Sequence, residues 1–378
     1  MLPLKGIRVL DVTRLLPGGF CTHLLSSYGA EVLKVEEPGL GDYIRDVPPL
    51  VDGVSLVHTM LNRGKMSVAI DLKKEEGKSV LRRLMGQSDV FVEGFRPGVA
   101  ERLGFSFEEA KSLNDRIVYC SISSFGHESR MSSMPAHDLN VEAMSGVLGS
   151  VPRPQIPFVQ VGDYVAAMYA ALGILAALQR KDRGATYVDV PMVQSLMSLL
   201  MLPASSYFAT AEPPARGQSL VFGSEPYYDI YRTADGRYLA VAAIEPHFWK
   251  NLMEAIGLPH LAGLRGGSEG DRARLRRALR RVLASRTQAE WSSLLIGRDT
   301  CVTPILDIHE ALDSAWARET GVVGKVGGRP VINQPIRFSP GEEERDAPSL
   351  GEHTGRILRR LGYGPREIRR LRKMGAVA

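Results

Sequence analysis

A histidine and two carboxylates fall within one short stretch of the chain, residues 136–163. The stretch opens with Ala136-His137-Asp138-Leu139-Asn140 and runs through a proline-broken loop holding Pro152, Pro154 and Pro157. It closes at Val161-Gly162-Asp163, where an apolar run to residue 178 begins. A neutral imidazole beside a carboxylate can be oriented and made more basic, which suits a general base near neutral pH. Asp163, at the first turn of a helix, is expected to be ionised by the helix dipole. The N–H groups of that turn are expected to stabilise an oxyanion formed on a substrate. Read singly, Asp163 is a helix cap and His137 a loop histidine. Glu245, in Ala243-Ile-Glu-Pro-His-Phe-Trp249, follows an apolar run. It is expected either to orient another site residue or to cap the helix that starts at Pro246. His23, His58, His127 and His353 lack such company and read as structural.

Other residues suit an anionic ligand. Asn62-Arg-Gly-Lys65, Asp71-Leu-Lys-Lys74 and Glu93-Gly-Phe-Arg-Pro-Gly98 bracket predicted strand ends with basic groups. Arg96, in a Phe-Arg-Pro-Gly turn, can stack on a base or pair with phosphate. Together these fit a nucleotide-containing ligand along one rim. Neither G-x-x-x-x-G-K-[ST] nor G-x-G-x-x-G occurs, so the chain has no P-loop and no nicotinamide-dinucleotide fingerprint. Cys21, Cys120 and Cys301 lack metal-ligand spacing. No metal site is expected, and a reduced, cytoplasmic setting is.

The elements that must position these groups alternate strand and helix. Strands are predicted at 7–11, 31–35, 67–72, 89–93, 117–123 and 187–190. Helices are predicted at 20–28, 74–85, 164–178 and 192–202, with a turn at Leu16-Pro-Gly-Gly19. Ser106-Phe-Glu-Glu109 and Thr287-Gln-Ala-Glu290 have the form of capping boxes. The pattern is that of an α/β chain with a Rossmann-like open parallel sheet, which binds ligands beyond the carboxyl ends of its strands. Residues 203–222 read as a linker. A smaller α+β unit follows, with a hairpin turn at Asp235-Gly236. Residues 330–348 read as an extended return, and 354–374 as one basic helix. The expected division is 1–202 for the first part of the large domain, 203–222 for the linker, 223–323 for the small domain and 324–378 for the segment completing the large one.

Composition narrows the classes. Hydrophobic content of 44% and charged content of 24% describe an ordinary globular chain. Its 378 residues are enough for two domains. No apolar run reads as a bilayer span, and the N-terminus lacks the apolar core of a signal peptide, so no membrane association is expected. The net charge of +5 suits a nucleic acid or an anionic small molecule. The arginine-rich run at 272–281 carries Leu275, Leu279, Val282 and Leu283 at helical spacing, and no aromatics interleave with the arginines. It therefore reads as a solvated helix face, and no nucleic-acid partner is expected.

Taken together, the motifs resemble the class III CoA-transferase family, and within it the α-methylacyl-CoA racemase branch. The carriers are Leu4-Lys-Gly-Ile-Arg-Val-Leu-Asp11, Leu16-Pro-Gly-Gly-Phe20, Gly29-Ala-Glu-Val-Leu-Lys-Val35, Glu93-Gly-Phe-Arg-Pro-Gly98, Glu101-Arg-Leu-Gly104 and Leu350-Gly-Glu-His-Thr354. The resemblance implies a large Rossmann-like CoA-binding domain formed by both chain ends, an inserted small domain and an interlocked homodimer. It implies coenzyme A as part of an acyl-CoA substrate, with no other cofactor. The implied CoA contacts are Phe95, Arg96, Leu72, Lys73, Arg63, Lys65 and Arg102. In the transferases the aspartate matching Asp163 is the nucleophile; in the racemases it is one of two proton-transferring residues. His137-Asp138 is similar to the racemase His-Asp pair, which makes epimerisation at C2 of a 2-methyl-branched acyl-CoA the leading expectation and CoA transfer the alternative. Asp138 and Glu245 are expected to tune or orient the pair. A third possibility is a non-catalytic acyl-CoA-binding subunit. Leu16, where formyl-CoA transferases carry glutamine, also sides with the racemases, but the chain departs from the pattern at Val141, where racemases carry tyrosine. Tyr164-Val-Ala-Ala167 replaces glycines and is expected to narrow the site. Glu37 replaces an arginine that contacts CoA phosphate, with Arg45, Arg63 or Lys65 as substitutes.

Overall fold

The computed structural model describes residues 2–149, 153–182, 184–212, 223–338 and 345–378. Pro152, and parts of the expected linker and return segment, lie outside the described residues. The chain divides into two compact units: Met1–Leu148, Gln155–Leu199 and Trp316–Ala378 form one; Gly149–Pro154 and Leu200–Ala315 form the other.

The larger unit is built on six strands, β1 (Arg8–Asp11), β2 (Glu31–Glu36), β3 (Met66–Ala69), β4 (Val90–Glu93), β5 (Val118–Ser123) and β6 (Thr186–Pro191). They lie in the order β3-β2-β1-β4-β5-β6, and every neighbouring pair is parallel. The order reverses between β1 and β4. At such a switch point the loops leaving two neighbouring strands diverge and open a crevice beyond their carboxyl ends.

One face of the sheet is covered by α1 (Leu15–Ser27) and α7 (Val161–Leu178), whose Cys21, Leu25, Ala166, Ala170 and Ile174 pack on Val9, Val92 and Cys120. The other face is covered by α3 (Glu75–Met85) and by helices near the chain end, Thr354–Arg360 and Pro365–Lys373, through Leu81, Leu84, Leu358 and Leu371. Shorter helices fill the connections: α2 (Leu56–Asn62), α4 (Val99–Leu103), α5 (Phe107–Leu113), α6 (Asp138–Ser145), α8 (Met192–Met197) and α9 (Met201–Thr210).

Several boundaries differ from expectation, mostly because of proline. The turn expected at 16–19 is the start of α1. Pro17 falls in its first turn, where a missing N–H costs nothing. The same holds for Pro203 in α9, so residues 203–210 of the expected linker are helical. The basic helix expected at 354–374 is two helices, divided at Gly362, which has φ +86°, and restarted at Pro365. Part of the expected extended return is a hairpin, Val323–Val326 with Arg329–Ile332. By length and composition alone, α7 and the stretch Met192–Thr210 qualify as bilayer spans, against expectation. In α7 the cause is its small apolar residues, which pack one side of the helix on the sheet.

The smaller unit contains the antiparallel strands Tyr228–Arg232, Tyr238–Ala242 and Val302–Pro304. The hairpin turns at Gly236, with φ +81°. Three helices pack a core around Trp249 and Trp291, and each indole N–H finds a backbone carbonyl at 2.9 Å.

Candidate active site

A cavity of about 250 Å³ lies at the carboxyl ends of β1, β4 and β5. Its walls come from the Thr13-Arg-Leu15 lip, the Gly94-Phe-Arg-Pro97 turn, Ile122 to Ser124, the 134–137 loop and the first turn of α7. His137 and Asp163 both line it. A smaller cavity of about 130 Å³ shares Arg14 and Phe95 with the first and continues past Leu72, Lys73 and Glu37.

The two candidate catalytic residues sit at paired helix starts. His137 is the N-cap of α6, and its backbone N–H donates to Asn140 Oδ1 at 3.1 Å. Its side chain is exposed. The next residue, Asp138, turns away toward α7, where its Oδ1 accepts the Asp163 N–H at 3.0 Å. One helical turn on, Glu142 is fully buried, and its Oε1 accepts the Val161 N–H at 3.2 Å. Two carboxylates of α6 therefore cap α7.

This changes the expected role of that helix start. The N–H groups of Val161 and Asp163 are engaged by carboxylates, so they are not the oxyanion donors anticipated from the sequence. Asp163 itself is not held ionised. Burial, then the charges of Asp138 and Glu142, push its carboxyl up to about 7. Here burial and the neighbouring carboxylates outweigh the helix dipole. Glu142 is also raised, by burial and by Asp138. Sequence reasoning missed Glu142, although its spacing of four from Asp138 was a usable signal. Like charges one helical turn apart repel, and helices rarely keep them on one face without a use.

The residues after Asp163 do not close the cavity. Tyr164 packs edge-on against Phe20, with ring centroids 4.8 Å apart. Val165, Ala166 and Ala167 are buried among the residues of α1 and the sheet. Val141 is fully buried against Gly162, where a tyrosine would find no room without displacing α7.

The lip opposite is held by a buried ion network. Lys34 lies 2.9 Å from Asp42 and donates to the Thr13 carbonyl at 3.0 Å. Asp42 accepts the N–H of Leu15, a residue held at φ +61°. Left-handed backbone is costly for leucine, so the Asp42 bond offsets strain at the cavity wall.

The expected CoA contacts separate into two groups. Phe95, Arg96, Leu72 and Lys73 line the two joined cavities. Arg102 is exposed on α4, beside Gly98 of the same turn. Arg63 and Lys65 lie elsewhere. Lys65 is buried and donates to Gly19, Thr22 and Asn62 at 2.8–3.0 Å. Arg63 is 2% exposed, donates to the Ile332 carbonyl and lines a separate cavity of about 480 Å³ at the amino ends of β1 and β2. Arg63 lies at the end of the sheet away from the crevice, whereas the Lys65 ammonium is buried beneath the start of α1, 3.6 Å from Asp11 at the end of β1. Arg45 is bound to Glu36 at 2.7 Å and to the Pro348 carbonyl. Glu37 holds Arg14 and Lys73 at 3.2 and 2.8 Å. Glu245, in the smaller unit, is the N-cap residue of the helix Pro246–Ala255, with no side-chain capping bond. Among the described residues, no group of three or more His, Cys, Asp or Glu side chains is placed to hold a metal ion.

Comparison with known proteins places this geometry. The model for CoA-transferase family III matches residues 4–354. An alpha-methylacyl-CoA racemase from Mus musculus is 34% identical over 97% of this chain and 96% of its own. An acetyl-CoA:oxalate CoA-transferase from Acetobacter aceti is 31% identical over 96% of each. A crystal structure of a CAIB/BAIF family protein from Brucella suis superposes with a TM-score of 0.83, at 26% identity, over 95% of this chain and 99% of that one. The chain belongs to CoA-transferase family III.

Proposed function

We propose that the protein epimerises C2 of a 2-methyl-branched acyl-CoA by two-base proton transfer. The observation that carries this reading is the Asp163 carboxyl, raised to about 7 in the same cavity as His137. A proton-transferring group works best with its pKa near the working pH. A carboxylate nucleophile gains nothing from being held protonated. The thioester acidifies the C2 proton. His137 removes it from one face, and the electron pair moves into the carbonyl as an enolate. Asp163, in its acid form, returns a proton to the opposite face. In the reverse direction the two exchange roles. Asp138 tunes Asp163 by its charge. The CoA arm follows Phe95 and Arg96 toward Leu72 and Lys73, with Arg102 at the outer edge. No cofactor beyond the substrate's own CoA is needed. The working unit is an interlocked homodimer, which the exposed apolar side of α7, Met168, Tyr169 and Leu172, supports.

Incubation with 2-methylacyl-CoA thioesters in deuterated water tests the reading. The expected result is deuterium at C2 with inversion, lost in His137→Gln and in Asp163→Asn. Absence of deuterium from every branched thioester tried overturns it.

The oxalate CoA-transferase relative, of similar identity, supports CoA transfer as a second reading. Asp163 then attacks the acyl carbonyl and expels CoA thiolate, and the thiolate attacks the aspartyl carbonyl of the mixed anhydride, releasing the carboxylic acid and leaving an aspartyl-CoA thioester. A CoA-sized mass adduct on the peptide carrying Asp163 would favour transfer over epimerisation.

A further inference from the structure

Behind the Phe95–Arg96 turn is a polar cluster that the proposed reaction does not use. Glu93 ends β4, and its side chain follows Phe91 onto the sheet face away from α1 and α7. It is 1% exposed. Its Oε2 accepts the Phe95 N–H at 2.6 Å, closing the turn across Gly94, while Oε1 has no hydrogen-bond partner. Ser121 pairs with Glu93 across the β4–β5 ladder. The Ser121 Oγ is 2.9 Å from His127 Nε2. The His127 backbone N–H donates to Asp189 at 3.3 Å, and its ring stands edge-on to Tyr187. His127 is half-buried. Ser121 thus stands beside the carboxylate that holds the turn and is itself paired with a half-buried imidazole. By sequence His127 reads as structural, because its partners come from two strands distant in the chain.

We infer that Glu93, backed by Ser121 and His127, is a positioning residue that sets the Phe95–Arg96 turn for CoA binding. The inference rests on the CoA-ligand reading above. An ionised carboxylate holds an N–H more strongly than a neutral carboxyl does. Burial pushes Glu93 up to about 7, with Glu101 and Asp189 adding repulsion and Ser121 and the Phe95 N–H opposing it. Tyr119 and Tyr187 face the same carboxyl, and burial raises both, so they stay neutral near pH 7. As pH rises through about 7, Glu93 loses its proton. The turn tightens as it does so.

The test is calorimetric binding of CoA itself to the whole protein between about pH 6 and about pH 8.5, beside hydrogen-exchange protection of residues 94–98 without ligand. In the unaltered protein, affinity is expected to rise about fivefold over this range, and protection to rise with it. Glu93→Gln keeps the shape and stays neutral. It is expected to show the low-pH affinity and low-pH protection throughout. Ser121→Ala is expected to shift the midpoint while keeping both limits, and it stands in if Glu93→Gln does not fold. Affinity and protection in Glu93→Gln that track the unaltered protein at every pH overturn the inference. If CoA fails to bind either form, the ligand reading falls. The protection profile then decides alone whether Glu93 holds the turn, and a flat profile in the unaltered protein overturns that too.

Discussion

The Asp138 carboxylate accepts the backbone N–H of Asp163 at 3.0 Å, so the neighbour of the candidate base caps the helix that carries the candidate acid. The two groups are thereby coupled twice, through the position of α7 and through charge. Asp138→Asn separates these effects, since its amide oxygen still accepts the bond while the charge is gone. Removing a negative neighbour makes Asp163 easier to ionise, so its pKa should fall from about 7 by about one unit. The corresponding limb of the pH–rate profile for deuterium wash-in at C2 should move toward acid by the same amount. Asp138→Ala should also lose the cap and about 1 kcal/mol of stability.

Asp163→Asn should cost activity and add stability at alkaline pH. The folded-state carboxyl is raised from 3.8 to about 7, so the folded protein binds more protons than the unfolded chain between those values. Stability from this group is therefore full below the lower value and falls as pH rises through the window. Asparagine removes the titration. Urea denaturation should show Asp163→Asn more stable than the unaltered protein by roughly 1–3 kcal/mol at about pH 8, with the difference shrinking toward about pH 4. Equal stability of the two forms at alkaline pH would argue against a buried, charge-crowded Asp163.

Leu172 tests the assembly. α7 is apolar on all sides, yet Met168, Tyr169 and Leu172 are 49%, 39% and 60% exposed. A helix apolar all round is normally covered on every side. Interlocked subunits cannot exchange without unfolding. Mixed tagged and untagged protein should form no hybrids under native conditions and should form them after unfolding and refolding. Leu172→Glu should refold mainly as monomer, read by sedimentation. Rapid native exchange would rule out interlocking, and an unchanged dimer in Leu172→Glu would clear α7 of the interface.

The outline of the site was legible because it depends on chain order. Alternating strands and helices fix a parallel sheet, and a parallel sheet fixes the end at which ligands bind. His137, Asp163, Phe95 and Arg96 all follow the ends of their strands or start helices there, and they line one cavity. Arg63 and Lys65 lie outside that cavity. They precede β3, and a positive charge near a strand does not show which end of the sheet it serves. The partners of Asp163 were illegible because nothing in the sequence shows that α6 presents Asp138 and Glu142 to α7. The state of a carboxyl follows from what surrounds it, and that is a property of packing.

Glu37 offers the last test. It departs from the family arginine, and it holds Arg14 and Lys73, the two cations among the described residues lining the smaller cavity. A phosphate arriving there must compete with the Glu37 carboxylate for both. Glu37→Gln removes the competitor, keeps the side chain's shape and makes the cleft more positive by one charge. CoA should bind about threefold to tenfold more tightly at low salt, and the gain should shrink at high salt because these groups are partly exposed. A pantetheine thioester, which lacks the nucleotide phosphates, should bind equally to both forms. Isothermal titration of the two ligands against both proteins reads each outcome directly. A gain for pantetheine as large as for CoA would mean that Glu37 shapes the cleft by packing and not by charge. No gain for either would place the CoA phosphates away from Arg14 and Lys73.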